Sequence, residues 1–184
     1  MELGLANGEC AGLVILQHQR HVDERGSLQR LFDAETLASV GIDFRAIHIN
    51  LTRTIHAGTV KGFHLQREPH AEVKIVTCIA GRILDVAVDL RPDSPTFGDW
   101  LSIELSPEKL ESLLIPEGFA HGLQCLQPNS VVHYVHSAAY APSAEMGVHP
   151  LDPDVAVAWP LPPKYLSQRD RSLPWLADFG GRSR

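Results

Sequence analysis

The chain has 184 residues, a formal charge of −6, and 44% apolar against 21% charged side chains, which suits one soluble globular domain over residues 1–184 with a core spanning about 12–178. No Lys/Arg run exceeds two residues, so the cationic surface that phosphate backbones demand is missing and no nucleic-acid partner is expected. No stretch of about 18 apolar residues occurs and no basic flank precedes an apolar run at the N-terminus, so neither a membrane span nor a signal peptide is expected and the protein reads as cytoplasmic.

In chain order, short apolar runs alternate with polar residues: AGLVILQHQR (11–20), FRAIHINLT (44–52), GTVKGFHLQ (58–66), EVKIVTCIAGRILDVAVDLR (72–91), WLSIELS (100–106), SLLIPEGFAHGLQCL (112–126) and SVVHYVHSA (130–138). Gly, Pro, Asn and Asp punctuate them, which predicts an all-β sandwich or barrel. Two short helices are expected. One covers DAETLASVG, with Asp33 as N-cap and Gly41 as stop, and the other covers SPEKLESLL, with Ser106 as N-cap and Pro107 at the first helical position. The Pro-rich stretch from HPLDPD to WPLPPKYLSQRD has neither period, yet it holds Trp159, Tyr165 and Trp175. It is therefore expected to pack over the barrel as a C-terminal extension, leaving only GGRSR free. Cys10, Cys78 and Cys125 are odd in number and form no CxxC, so they read as buried apolar filler and not as a disulfide or zinc framework.

The segment KIVTCIAGRILDVAVD can be read as a hairpin about Ala80-Gly81, with Cys78 facing Ile83, Val76 facing Asp85 and Lys74 facing Ala87. Alternation then puts Lys74, Val76 and Cys78 on one face with Ile83, Asp85, Ala87 and Asp89, and leaves Ile75, Thr77, Ile79, Leu84, Val86, Val88 and Leu90 on the other. The mixed face is solvent or a polar cavity. Cys78, Ile83 and Ala87 favour the cavity.

PEGFAH (116–121) matches the P-x-G-x-x-H element of cupin barrels, and GTVKGFH (58–64) matches the other cupin element up to its first histidine. A metal-dependent cupin with His64 and His121 as ligands is one alternative. Gln66 stands where such cupins carry their second histidine, and Glu72 follows at a different spacing. No metal and no cofactor are therefore expected.

Taken together, DERG (23–26), GTVKGFH, HAEVKIV (70–76), GRILDVAVDLRPDSPTFG (81–98), IPEGFAHG (115–122), Tyr134, YAPSAEMGV (140–148), DPDVAVAWPL and LSQRD (166–170) resemble the dTDP-4-dehydrorhamnose 3,5-epimerase family, metal-free cupins. The resemblance implies a cupin-type jelly-roll barrel, a homodimer, and inversion at C3 and/or C5 of a nucleotide-linked 4-keto-6-deoxyhexose. It further implies His64 as base with Asp170 as its partner, Tyr134 as the acid on the opposite face, and Lys74 as donor to the enolate, its ammonium held by Asp85 or Asp89. His121 would line the same pocket. Arg25, Asn50, Glu145 and Arg169 match positions that bind the nucleotide sugar, and Lys61 and Gln66 join them. A non-catalytic sugar-nucleotide binding module is the remaining alternative.

The chain departs from the family chiefly in recognition. Lys61 stands for the usual arginine, keeping the charge without the bidentate fork. Arg30 replaces a glutamate, His48 a glutamine, Leu65 an aromatic and Val135 a lysine. His48, His56, His133, His136 and His149 have no matched role and read as surface or packing residues.

Overall fold

The computed structural model describes residues 2–5 and 12–181; Cys10 and the last three residues of the GGRSR tail lie outside them. The strands are β1 (Glu2–Leu5), β2 (Val14–Gln17), β3 (Arg20–Asp23), β4 (Gly26–Gln29), β5 (His48–Thr54), β6 (Val60–Gln66), β7 (Lys74–Ala80), β8 (Ile83–Asp89), β9 (Trp100–Leu105), β10 (Glu111–Ile115), β11 (Phe119–Cys125), β12 (Ser130–His136) and β13 (Glu145–Gly147). They form a six-stranded sheet in the order β1-β2-β10-β7-β12-β5 and a five-stranded sheet in the order β13-β6-β11-β8-β9, with β3 and β4 as a separate two-stranded ribbon. The named strand pairs are antiparallel. The two large sheets stack as a jelly-roll barrel of the cupin type.

Three apolar layers hold this arrangement. Between the sheets lie Val76, Cys78, Leu113 and Val132 from one side and Ile83, Ala87, Phe119 and Leu123 from the other. Outside the six-stranded sheet, Val14, Leu16, Ile75, Leu114 and Val135 are covered by Leu37 of helix α1 (Ala34–Ser39) and by Phe44. Outside the five-stranded sheet, Phe63, Val86, Val88 and Ala120 are covered by Val148, Val155 and Phe179 of the C-terminal extension, as its aromatic content predicts. Trp159 stacks on the fully buried Phe63 ring at 5.8 Å. Each side chain of this size contributes about 1.5–3 kcal/mol when fully buried.

Two sequence expectations are corrected here. The strands of KIVTCIAGRILDVAVD do not pair with each other: β7 lies between β10 and β12, and β8 between β11 and β9. The chain passes from one sheet to the other at Gly81, whose φ is 72° and where a Cβ would come within 2.4 Å of Ser130 Oγ. Alternation survives the change, so Val76, Cys78, Ile83 and Ala87 still meet, but across the sandwich and not side by side. Each run is apolar on both faces because each sheet is covered on both sides.

The helix expected over SPEKLESLL is a single turn. Lys109 N–H donates to the Ser106 carbonyl, Leu110 then takes a φ of 56°, and ESLLI becomes β10 between β2 and β7. Pairing on both edges outweighs the local helical preference of this segment. The helix expected at Asp33 forms, with the Asp33 carboxylate accepting from Thr36 N–H. Cys78 and Cys125 are free and buried. Among the described residues no helix is long and apolar enough to cross a membrane.

Candidate active site

One wall of the lumen belongs to the five-stranded sheet, where His64 on β6 lies directly across from His121 on β11. Plain alternation would put Lys61 and His64, three apart, on opposite faces. The register shifts between the His121–His64 and Leu123–Lys61 pairs, so both residues face inward. Gly62 permits the bulge: its φ is 113°, and a Cβ there would lie 2.5 Å from Gly122 Cα. Burial lowers the Lys61 ammonium from its usual value, and Asp170 is among the charges that oppose this.

Asp170 comes from the short helix α2 (Gln168–Arg171), whose N-cap Ser167 accepts from the Asp170 N–H. Its carboxylate lies 2.6 Å from His64 Nε2. Burial works to raise this carboxyl, but the hydrogen bonds from His64 and Ser167 win and hold it below the usual aspartate value. Arg169 donates to His64 Nδ1 at 3.5 Å, and Glu145 Oε1 is 3.4 Å from the same atom. With Nε2–H given to Asp170, the lone pair of the neutral ring is on Nδ1, so Nδ1 is the basic nitrogen. Glu145 also pairs with Arg169 and accepts from Tyr140 Oη at 2.7 Å. His121 Nε2 bonds Asp85 Oδ1 at 2.7 Å, and Asp85 is fully buried. Its other oxygen is buried and has no protein partner among the described residues.

The facing wall belongs to the six-stranded sheet. Lys74 starts β7, Tyr134 and His136 stand two apart on β12, and His136 pairs in register with Lys74. The Lys74 ammonium is not held by Asp85 or Asp89, as the sequence suggests; it bonds Glu72 Oε1 and the His64 carbonyl oxygen, each at 3.1 Å. Asp85 is taken by His121, while Asp89 is bound by Arg91, Ser94 and Thr96. The reason is the crossing at Gly81: with β7 and β8 in different sheets, the aspartates are not cross-strand neighbours of Lys74. Burial lowers the Lys74 ammonium, with Glu72 and Asp85 opposing it. Burial, reinforced by Asp85, pushes the Tyr134 phenol well above the ordinary tyrosine value. The Tyr134 ring packs edge-on to His121 at 5.8 Å and against His136 at 6.0 Å.

His64, Asp170, Lys74, Tyr134 and His121 are thus brought together, with Glu145 and Arg169 beside His64. Asn50 stands exposed on β5 across from Tyr134. Gln66 is spent on the backbone: its amide donates to the His70 and Ala139 carbonyls and accepts from Ala141 N–H. His70 itself sits in an exposed turn. Arg25, with 86% of its side chain exposed, is bonded to Asp23 at the tip of the β3–β4 ribbon. Glu72 and His136 were missed. The signal for His136 was its position two residues from Tyr134, which puts both on one face; nothing local marked Glu72. Among the described residues, no three His, Cys, Asp or Glu side chains converge as metal ligands.

Residues 7–178 match the family model described as dTDP-4-dehydrorhamnose 3,5-epimerase. The chain belongs to this family of isomerases. It is 36% identical over 174 residues to the dTDP-4-dehydrorhamnose 3,5-epimerase of Streptomyces griseus, covering 93% of this chain and 86% of that one. It is 34% identical over 161 residues to the dTDP-4-dehydrorhamnose 3-epimerase of Streptomyces niveus, covering 87% of this chain and 77% of the other. The crystal structure of dTDP-6-deoxy-D-glucose-3,5-epimerase from Legionella pneumophila, in complex with dTDP-4-keto-L-rhamnose, superposes with a TM-score of 0.90 at 34% identity over 97% of this chain and 95% of that one.

Proposed function

We propose that the protein epimerises a dTDP-linked 4-keto-6-deoxyhexose at C3, or at C3 and C5, through an enolate, without metal or cofactor. The observation that carries this reading is the facing arrangement of a carboxylate-backed imidazole on one wall and a buried ammonium and phenol on the other. A proton α to a ketone leaves only if a base reaches it while a donor receives the charge that develops on the carbonyl oxygen. His64 Nδ1 is that base, and Asp170 holds the ring and stabilises the imidazolium. Lys74 donates a hydrogen bond to the enolate oxygen. Tyr134, facing His121 from the opposite sheet, delivers a proton to the other face of the same carbon, which inverts it. His121, with Asp85 behind it, binds sugar hydroxyls, and Arg169, Glu145, Lys61, Asn50 and Arg25 contact the nucleotide sugar.

The reading includes a cytoplasmic homodimer. Ile49 and Leu51 on edge strand β5 are 65% and 60% exposed, and pairing two copies along this edge would cover them. Sedimentation equilibrium checks it, a monomer at micromolar concentration being the contrary result.

Incubation with dTDP-4-keto-6-deoxyglucose in D₂O is the decisive measurement. Deuterium enters C3, or C3 and C5, and NMR of the product distinguishes the two; absence of exchange across dTDP, CDP, GDP and UDP substrates refutes the reaction. Tyr134→Phe impairs inversion more than exchange, because the base still works when the acid is gone.

A further inference from the structure

Behind the proposed donor lies a carboxylate that bridges an ammonium and an imidazole. Glu72 Oε1 takes the Lys74 ammonium at 3.1 Å, and Glu72 Oε2 takes His136 Nδ1 at 2.9 Å. The three side chains are largely withdrawn from water, with 9–16% of each exposed. We propose that Glu72 and His136 are positioning residues for the epimerase reaction, keeping the Lys74 ammonium charged and aimed at the developing enolate; this rests on the reading given above.

The geometry argues as follows. An ammonium has three N–H donors. Two are given to Glu72 and to the His64 carbonyl, so among the described residues the third is left for a ligand oxygen. A carboxylate with one oxygen bonded could swing away with its cation; with His136 on the other oxygen, Glu72 is tethered at both ends. His136 in turn is fixed by its ladder position across from Lys74 and by the Tyr134 ring stacked on it at 25°. Donor and acid therefore share a single support.

Charge leads to the same conclusion. A lysine this buried sheds its proton more readily than one in water, and a neutral amine is a far weaker donor to an enolate. Glu72 is the nearest opposing charge, with Asp85 contributing from the other sheet and Arg169 acting the other way. The remaining ionisable groups around the trio are His64 and His121 on the facing wall, Tyr134 beside His136, and His48 paired with His136 on the neighbouring strand β5. Loss of Lys74's proton is read on the alkaline limb of the rate profile.

The test measures deuterium incorporation against pH and substrate concentration for the wild type, Glu72→Gln, Glu72→Asp and His136→Gln. Glu72→Gln is expected to lower kcat about 10- to 100-fold, less than the roughly 10²–10³-fold lost when a transition-state donor itself is removed, with KM changed less than about two-fold. Its alkaline limb moves to lower pH by about 1–3 units, the effect of removing an opposite charge at this range. Glu72→Asp returns the limb toward the wild-type position. His136→Gln gives a smaller kcat loss and an intermediate limb. In ¹³C-lysine-labelled protein, the Lys74 Cε shift titrates at lower pH in Glu72→Gln, a readout independent of turnover. Wild-type exchange with an unmoved limb in Glu72→Gln overturns this inference alone, as does a loss that Glu72→Asp fails to restore. A wild type that exchanges nothing overturns the epimerase reading and this inference with it.

Discussion

On the five-stranded wall, His64 and His121 each hand an N–H to a carboxylate, Asp170 and Asp85, which fixes the tautomer of each ring, including that of the proposed base. On the six-stranded wall, Lys74 and Tyr134 are shaped by removal from water, which lowers the ammonium, raises the phenol, and leaves Glu72 as the counter-charge. The first wall owes its chemistry to hydrogen-bond direction, the second to burial. Substitutions on the first wall should therefore act through the ring that takes the proton, while those on the second should shift where groups titrate.

The largest break in this contrast is His64→Ala, which is expected to remove deuterium exchange at every carbon, a loss of about 10²–10⁴-fold; exchange at the wild-type rate would take the base role away. Lys74→Met keeps the length and apolar stem but removes the charge, and costs about 10²–10³ in kcat, measured by the same exchange assay. Phe63→Ala probes whether the first wall depends on its outer cover. Phe63 is fully buried beneath Trp159, and its truncation is expected to cost about 3–5 kcal/mol in urea unfolding.

Acid unfolding sharpens the comparison further. Asp170 and Glu72 are both held below their usual values in the fold, so the unfolded chain binds more protons as the pH falls. The stability they contribute is whole above about pH 5 and is lost as pH drops through about 4 and below. Urea midpoints between pH 6 and 3 should fall less steeply in Asp170→Asn, and an unchanged slope would remove Asp170 from this account. The smallest effect concerns the lining between the walls. Burial pushes the Cys78 thiol up to about 12, so iodoacetamide at pH 8 should leave Cys78 unlabelled in the folded protein and label it in urea, as peptide mapping would reveal.

Much of the fold could be read directly. Alternation in VKGFHLQ, KIVTC, ILDVAV and SVVHYVH, with glycine or proline between them, marks strands because the period of two is local. The Asp33 cap and the aromatic residues of the tail are local signals too. The β3–β4 ribbon was harder: its Val22 and Leu28 are 74% and 71% exposed, so no buried face impressed a pattern on it. The strand at ESLLI was half hidden because its first residues also suit a helix after Ser106-Pro107.

For the site, the family resemblance singled out His64, His121, Lys74, Tyr134 and Asp170, and the structure brings them together. Their mutual geometry was not there to be read. Which strand borders which is a matter of long-range pairing, and it separated β7 from β8, moved the Lys74 counter-ion from an aspartate to Glu72, and made His136 its neighbour. The bulge at Gly62 likewise needed the close approach of Gly122 from another strand. Sequence by itself determined which side chains share a face within each regular strand and what chemistry they can do, because alternation and side-chain acidity are properties of a residue and its immediate neighbours. Only the tertiary structure decided who touches whom, because hydrogen bonds and desolvation depend on the sheets that close around them.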